Sequence, residues 1–250
     1  MAFAGIIRVL VVVAFIAGVE GLCRSGVIDR FTMIPPSEMV TALAGILRTG
    51  NIAPDVSFTF VNILAAIAVA IVAGFALGAV VHGLPRLRRV VTPLLAAYYA
   101  VPSFVFYPVL IVLLGLNRLP LIAIGAVLGV VGMMVSTLDG LDRIPRVLLK
   151  TASGYRMTPL SVALRIKLPA AAPQLFTGVK LAVTYSIIGT LAGEFILSIA
   201  GIGRRLAIAY NDLDNPTMYG LLLLVITTIV AINAVIFRLE RRLHRRWSRA

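Results

Sequence analysis

Six apolar runs, each long enough to cross a lipid bilayer as a helix, constrain this sequence more than any other feature. They cover residues 5–23, 57–81, 92–115, 119–138, 172–197 and 217–237. The hydrocarbon core of a bilayer is about 30 Å thick and needs roughly 20 apolar residues of helix. The runs lack the alternating pattern of membrane-barrel strands, and only helices and closed barrels satisfy their backbone groups in lipid. The sequence therefore predicts an all-α integral membrane protein with six transmembrane helices in one domain, residues 1–250.

The composition excludes several other classes of protein. Hydrophobic residues make up 60% of the chain and charged residues 13%, about half the charged share of a soluble domain. The net charge of +13 raises the alternative of nucleic-acid binding, but the basic residues follow the membrane topology instead. Cys23 is the single cysteine, which excludes an internal disulfide and a multi-cysteine metal site. Contact with anionic membrane lipid is the partner that this charge predicts, and nucleic acid is not expected.

The Lys and Arg residues predict the orientation of the helices. If the N-terminus is cytoplasmic, sixteen of the 23 Lys and Arg residues lie on the cytoplasmic side and six on the outer side. Lys180 lies near the inner end of the fifth helix, from where its ammonium group can reach the interface. Cytoplasmic loops carry the excess of basic residues. Both termini are therefore expected in the cytoplasm.

The first apolar run has a second interpretation, as a cleaved signal peptide with Arg8 as its charged flank. Its apolar stretch is long, and no clean cleavage site of small residues follows it. A lipoprotein signal also fits poorly, because Leu22 stands before Cys23 where a small residue is required. A retained first helix is expected.

A long loop connects the fourth and fifth helices, over residues 139–171, and it faces the cytoplasm in this topology. The first part predicts a short helix from about Pro145 to Ser153, with Gly154 ending it as the residue after the cap. Thr158 is suited to cap a second helix with Pro159 at its first position. Leu168 precedes Pro169, so this second helix is expected to break there. On these physical grounds alone, an amphipathic element at the interface with no partner remains an alternative.

The loop resembles the cytoplasmic loop of binding-protein-dependent ABC importer permeases. That family's consensus is E-A-A, three residues, G, nine residues, I, one residue and L-P. Anchored on Leu168–Pro169, Lys150, Thr151 and Ala152 fall on E-A-A, and Arg156 falls on the glycine. The glutamate and the glycine of the consensus are thus replaced. Gly154, two positions earlier, is a candidate replacement for the turn glycine, which would shift the turn.

The resemblance extends over roughly residues 34–237 and points to the nitrate/sulfonate/taurine branch of the family. "IPPSEMVTAL" (34–43) is similar to the periplasmic segment after the first helix of that branch. "LLAAYYAVPSFVFYPVLIVLLGL" (94–116) resembles its third helix, and "TGVKLAVTYSIIGTLAGEFILSIAGIGRRL" (177–206) resembles its fifth helix and outer turn. This resemblance implies the fold of a type I ABC importer permease.

The resemblance also implies a function and partners. The chain is expected to move a small sulfonate-, nitrate- or heterocycle-like solute delivered by a periplasmic binding protein. A cytoplasmic ATPase in two copies would bind the loop, and a second permease subunit, in the simplest case an identical one, would complete the path. The chain has no phosphate-binding G-x-x-x-x-G-K-[ST] motif, so it is not expected to be an enzyme. No cofactor is expected on this chain, and ATP and Mg would be held by the ATPase. The residues expected to couple to it are Lys150, Thr151, Ala152, Gly154, Arg156, Pro159, Leu160, Leu164, Leu168 and Pro169.

Six residues are candidates for the translocation path. Glu194 is the acidic residue well within a membrane run, and an ionisable group there suggests a gate or a substrate contact; the alternative is a carboxyl group wetted at the outer interface. Tyr98 and Tyr99 are placed at the start of the third helix, where aromatic side chains also form interface belts. Pro102 is expected to kink that helix. Phe106 and Ser136 complete the set. Asp139 is expected to cap the fourth helix or to pair with Arg143.

Three other classes of protein are alternatives to the importer permease. An ion- or proton-driven secondary transporter usually needs several ionisable groups at mid-depth, and this chain offers only the off-centre Glu194. A membrane-embedded enzyme needs a convergent set of His, Glu, Asp or Cys, and the apolar runs contain none. A membrane scaffold that transports nothing remains open on composition alone. ATP-dependent transport distinguishes the importer from all three.

Overall fold

The computed structural model describes residues 2–98 and 101–247, and the regular structure in that part of the chain is helical. The helices are α1 Ala2–Arg24, α2 Pro36–Thr49, α3 Ala53–Gly83, α4 Pro85–Tyr98, α5 Tyr107–Leu114, α6 Arg118–Asp142, α7 Arg146–Gly154, α8 Pro159–Val162, α9 Leu168–Leu197, α10 Ile202–Asn211 and α11 Asn215–Trp247. A 3₁₀ turn, Ser103–Phe106, precedes α5. A π-helical turn, Ala163–Lys167, joins α8 to α9.

Four helices in the described part of the chain are long and apolar enough to cross a membrane. They are Ala53–Gly83, Arg118–Asp142, Pro159–Leu197 and Asn215–Arg238. They contain the second, fourth, fifth and sixth predicted runs. The first predicted run lies in α1, whose described side chains are mostly exposed.

The third predicted helix, 92–115, is wrong as a single helix. Instead, α4 starts at Pro85, before the predicted run, and ends at Tyr98. The 3₁₀ turn Ser103–Phe106 and α5 follow as separate elements. Tyr98 therefore ends a helix rather than beginning one. Pro102 lies between the two helices in non-helical backbone, which agrees with its missing N–H and its restriction on the preceding residue.

Helices α3, α6 and α9 form the core of the subunit, packed through small residues. A Cβ atom added at Gly125 of α6 would lie 2.5 Å from Oγ1 of Thr190 in α9, and one at Gly129 would lie 2.6 Å from Oγ of Ser186. A Cβ atom added at Gly74 of α3 would lie 2.6 Å from Cβ of Met133. Small residues let helix backbones approach closely in a membrane, where dispersion contacts replace the hydrophobic effect.

The ends of this core are called here the loop end and the Glu194 end. The loop end holds the α3–α4 turn at Leu84 and the segment that follows Asp142. The Glu194 end holds the start of α3 and the turn between α9 and α10 at residues 198–201. Two short helices that were not predicted from the sequence, α2 and α10, also lie at the Glu194 end.

Candidate functional site: the connecting segment and the Glu194 cluster

The connecting segment, residues 143–167, consists of short helical elements with hydrogen-bonded ends rather than an irregular loop. Its first helix, α7, ends with two backbone hydrogen bonds typical of a Schellman motif: Met157 N donates to Ala152 O at 3.1 Å, and Arg156 N donates to Ser153 O at 3.0 Å. Thr158 then caps α8, because its side-chain oxygen accepts from Ser161 N at 3.3 Å. The predicted cap at Thr158 and the first position of Pro159 are confirmed.

The turn after α7 is built on Arg156, not on Gly154. Arg156 has φ +51°, the left-handed conformation that the residue after a helix cap adopts in a Schellman motif. Gly154 is the last helical residue, and a Cβ atom added to it would meet no atom within 4 Å. The expectation that Gly154 supplies the turn is therefore wrong. The turn stays where the family consensus has its glycine, and an arginine occupies it with backbone strain.

The connecting segment leaves large apolar side chains exposed. Val147 is 71% exposed, Tyr155 80%, Leu160 69% and Leu164 57%, whereas Ala152 is buried against the protein. Isolated exposed leucines are ordinary, but several on one short rigid segment mark a contact surface. The charged side chains of Lys150 and Arg156 are exposed on the same segment.

The second part of the segment continues into α9 without a break. The expected helix end at Leu168–Pro169 is wrong, because the π-helical turn Ala163–Lys167 precedes the proline. There Leu168 N donates to Ala163 O, one residue further back than in an α-helix. The wider turn accommodates the proline ring, which would otherwise meet the carbonyl group four residues earlier. The resulting helix, Pro159–Leu197, has 39 residues and a length of about 58 Å, so its first turns extend beyond a bilayer core of about 30 Å.

An ion cluster at the loop end ties three helices together. The Arg88 guanidinium group of α4 forms two hydrogen bonds with the Asp142 carboxylate of α6, one of 2.8 Å from Nη1 to Oδ1. His82 Nδ1 of α3 lies 3.2 Å from the same Oδ1. The expected pair between Asp139 and Arg143 is absent among the described residues, where only their backbones are bonded, Arg143 N to Asp139 O. Sequence reasoning missed this cluster, since its members are 54 and 60 residues apart.

A second ion pair joins α9 to α11. Lys180 Nζ lies 2.7 Å from Oε1 of Glu240. The lysine is therefore paired with a carboxylate of the neighbouring helix, and its reach to the interface stays a prediction.

Glu194 is fully buried and is held by hydrogen bonds from two directions. Its Oε2 accepts from Oγ1 of Thr59 in α3 at 2.7 Å and from N of Gly203 in α10 at 3.1 Å. Asn62 is buried nearby, but its amide forms no well-aligned hydrogen bond with the carboxyl group. The alternative of a carboxyl group wetted at the outer interface is wrong, because protein groups surround Glu194 in the described structure.

The turn after α9 closes over this carboxyl group. Gly201 has φ +112°, and a Cβ atom added to it would lie 2.4 Å from Glu194 Oε2, so only glycine fits. Gly201 N donates to Asp55 Oδ1 at 2.9 Å, and Asp55 is also paired with Arg205. Ile202 N donates to Thr59 Oγ1 at 2.9 Å. Asp55 and Thr59 are four residues apart on one helix face, a spacing that could have pointed to the cluster from sequence.

The six candidate path residues fall into separate places. Tyr98 and Phe106 both line a cavity of about 420 Å³ between α4, the 3₁₀ turn and α6, and Pro102 lies in the chain between them. Ser136 is buried and packs against α9 at Gly178. Glu194 lies in the cluster described above. Tyr99 lies outside the described residues.

Comparison with known proteins identifies the class of this chain. Residues 66–249 match the model of the family described as binding-protein-dependent transport system inner membrane component. The chain belongs to this family. It is thus a multi-pass component of the bacterial inner membrane.

Individual relatives agree with that assignment. The permease is 26% identical over 160 residues to a probable ABC transporter permease protein of Haemophilus influenzae, with 64% of each chain covered. It is 25% identical to the formylaminopyrimidine transport permease protein ThiX of Halalkalibacterium halodurans, with 70% of this chain and 72% of the relative covered. The chain spans between 49% and 64% of the length of three of the curated relatives it matches.

The fold of the permease is similar to that of the MetNI methionine ABC transporter in an inward-facing conformation. The TM-score is 0.63 at 18% identity, covering 76% of this chain and 95% of the other. At that identity the likeness establishes the fold alone.

Proposed function

We propose that this chain is the membrane-spanning permease subunit of an ATP-driven importer that receives a small solute from a periplasmic binding protein. The family match over residues 66–249 supports this proposal. The proposed solute is sulfonate-, nitrate- or small heterocycle-like, and the relative ThiX is named for formylaminopyrimidine transport. The nitrate/sulfonate/taurine branch remains the proposed branch of the family.

The proposed topology has six membrane helices with both termini in the cytoplasm. The four long apolar helices support four of these spans, and α1 and the α4–α5 pair are proposed as the other two. The loop end would then face the cytoplasm, where the excess of Lys and Arg lies. The Glu194 end would face the periplasm and the binding protein.

The connecting segment is the proposed docking surface for a cytoplasmic ATPase, with two copies in the assembly. The single observation that carries this proposal is the exposure of Leu160 and Leu164 at the start of a helix whose 39 residues exceed the length that a bilayer core requires. Lys150 and Arg156 add positive charge at its edge, so the facing groove is expected to carry acidic side chains. ATP and Mg would be bound by that ATPase, because the sequence has no phosphate-binding loop of its own.

The translocation path is proposed to lie between two permease subunits, in the simplest case two copies of this chain. Tyr98, Tyr99, Pro102, Phe106 and Ser136 remain proposed path residues. Glu194 is proposed to act at the outer gate by holding the turn at Gly201 in place, since its carboxyl group is bonded to Thr59 and Gly203.

A matched pair of variants tests the docking surface. Leu160→Asp with Leu164→Asp places two carboxylates on the proposed contact. Val27→Asp is the control, because Val27 is 73% exposed and lies near the end of α1, on the opposite side from the connecting segment. Each chain is tagged, inserted in its native membrane and purified in mild detergent with its bound subunits.

The double variant is expected to insert in the membrane at the wild-type level and to lose the ATPase, whereas Val27→Asp keeps it. Truncation or charging of a buried contact residue commonly costs more than 2 kcal/mol, about 30-fold in affinity. An unchanged yield of ATPase with the double variant would show that the connecting segment is not the docking surface.

A further inference from the structure

The π-helical turn Ala163–Lys167 joins the proposed docking surface to the membrane-spanning part of α9. The backbone stays helical across it, over Pro159–Leu197, and Leu168 N donates to Ala163 O. A π turn closes its hydrogen bond over five residues instead of four, so it holds one residue more than an α turn. This turn therefore sets which side chains the upstream helix presents to its surroundings.

Ala171 marks the face of α9 that packs on α6. Its side chain is fully buried, and a Cβ atom added at Gly140 of α6 would lie 3.3 Å from its Cβ atom. Gly178, about two turns further along α9, faces the same helix, since a Cβ atom added to it would lie 2.9 Å from Cβ of Ser136. The direction of Ala171 is therefore the direction of the core, against which the residues before the π turn are compared.

A continuous α-helix would turn the two docking leucines toward that core. At 3.6 residues per turn, each residue advances by about 100° around the helix axis. Leu164 and Leu160 precede Ala171 by seven and eleven residues. In an α-helix both would therefore point within about 20° of the direction of Ala171.

The π turn rotates these leucines away from the core by about 100°, because it holds one additional residue. The exposure of the side chains agrees with this rotation. Leu160 is 69% exposed and Leu164 57%, whereas Val162 is half-buried. In a continuous α-helix Val162, nine residues before Ala171, would point about 180° away from the core. The observed exposure of these three side chains is thus the reverse of the pattern that an α-helix predicts.

Pro169 follows the π turn and is suited to hold it in place. In an α-helix its ring would meet the carbonyl group of Arg165, four residues earlier, and it has no N–H group to bond that carbonyl. Single π turns inside α-helices are rare and are frequent at functional sites. Pro173 also lies inside α9, but in regular α-helix, which makes it a matched control for the effect of a proline as such.

We infer that Pro169 is a positioning residue for the docking surface: it holds the π turn, and the π turn directs Leu160 and Leu164 outward to the ATPase. This inference rests on the proposed docking function of the connecting segment and identifies the element that sets its orientation. Loss of the π turn would rotate the docking leucines while the contacts of α9 with α6 stay in place.

Three variants of the full-length chain separate the π turn from the proline. Pro169→Ala removes the obstacle, so the helix is expected to become α-helical with the two leucines turned inward. Pro169→Ala combined with deletion of Arg165 also gives an α-helix, but the leucines then precede Ala171 by six and ten residues. They return to their original outward direction, to within about 20°. Pro173→Ala is the control, and it is expected to leave the orientation unchanged.

Thiol labelling measures the orientation directly. Cys23 is replaced by alanine, and a single cysteine is placed at Leu160 or at Val162 in each background. The full-length chain is separated from its ATPase, so that no bound subunit covers these positions, and a water-soluble maleimide is added. Because a thiol reacts as its thiolate, the exposed position reacts faster. The ratio of the rates at positions 160 and 162 is expected to exceed one in the wild type, to fall below one in Pro169→Ala, and to exceed one again when Arg165 is deleted.

Binding of the ATPase is expected to follow the same order. Turning two central contact residues inward in Pro169→Ala should weaken binding by about 30-fold. The variant with the deletion should regain most of this affinity, and Pro173→Ala should keep it. Membrane insertion of each variant is measured in parallel.

Four results would overturn the inference. An unchanged labelling ratio in Pro169→Ala would show that the proline does not hold the turn. An inverted ratio that the deletion of Arg165 fails to restore would show that residue number does not set the orientation. Equal effects of Pro173→Ala and Pro169→Ala would indicate general damage to the helix, and ATPase binding that ignores the ratio would exclude a positioning role. Labelling does not involve the ATPase, so failure of the docking surface itself is seen separately, in the double variant of Leu160 and Leu164.

Discussion

Arg156 is predicted to destabilise the turn that follows α7, and its replacement by glycine should strengthen that turn. A non-glycine residue in the left-handed region costs about 1–2 kcal/mol, and Arg156 has φ +51°. Glycine removes that cost but adds freedom to the unfolded chain, which offsets about 0.5–1 kcal/mol. The net gain for Arg156→Gly is therefore about 0.5–1 kcal/mol.

Gly154→Ala is the companion change, and its geometry predicts that it also stabilises the connecting segment. Gly154 is helical and exposed, and a new Cβ atom would meet nothing within 4 Å. Replacing a helical glycine by alanine gains about 0.5–1 kcal/mol. If the turn were instead built on Gly154, alanine there would pay the left-handed penalty and the sign would reverse.

Hydrogen exchange reports on this turn directly. Met157 N and Arg156 N are bonded to carbonyls of α7, so their exchange requires local opening. In the purified full-length chain, a peptide covering residues 152–158 should exchange about two- to fivefold more slowly in either variant, from 0.5–1 kcal/mol. Arg156→Lys is the control. It keeps the positive charge and a non-glycine residue in the left-handed conformation, so the exchange rate should not change. Faster exchange in Gly154→Ala would refute the assignment of the turn to Arg156.

Three further predictions concern thermal unfolding in mild detergent. Gly201→Ala places a Cβ atom 2.4 Å from the Glu194 carboxyl group and should lower the free energy of unfolding by about 3 kcal/mol. Gly45→Ala adds its Cβ atom in open space and should not destabilise the protein. Equal melting temperatures of the two variants would contradict the packing around Gly201. Thr59→Val removes two buried hydrogen bonds and should cost about 3 kcal/mol, with Thr59→Ser close to wild type. Asp142→Asn should lower the free energy of unfolding by about 1 kcal/mol at low salt. The difference from wild type should shrink as salt screens the partly exposed pair with Arg88, and a salt-independent difference would indicate lost packing instead.

The long helices could be predicted from sequence because an apolar run without strand alternation satisfies its backbone hydrogen bonds in lipid only as a helix. Backbone groups must be bonded within the segment, so a run such as 119–138 becomes a helix whatever its neighbours are. The cap at Thr158 is equally local, since it depends on a side chain and a backbone group three residues apart.

Pro102 and Pro169 were both predicted to disturb a helix, and the structure gives them different outcomes. At Pro169 a preceding π-helical turn moves the obstructing carbonyl aside, and the helix continues. Around Pro102 the chain leaves the helix and forms a separate 3₁₀ turn before α5. Only the three-dimensional packing of α4 against α6 settles which outcome occurs, and sequence periodicity does not contain it.

The clusters at the two ends of the core depend on contacts between distant parts of the chain. Glu194 was found from sequence because a carboxyl group in an apolar run is conspicuous. Its partner Thr59 is 135 residues away. The spacing of Asp55 and Thr59 marks a polar helix face, but it does not identify Glu194 as the group that this face contacts. The same holds for Asp142 and Arg88, whose pairing follows from the packing of α4 beside the end of α6.

The most direct test of the importer assignment is the composition of the native complex. The tagged chain is purified from its own membrane in mild detergent, and every bound subunit is identified and counted by mass. The account predicts an ATPase in two copies together with two permease subunits, and loss of that ATPase from the Leu160→Asp and Leu164→Asp double variant. An intact, folded complex that contains no ATPase would contradict the proposed function of the connecting segment and of the chain as an ATP-driven permease.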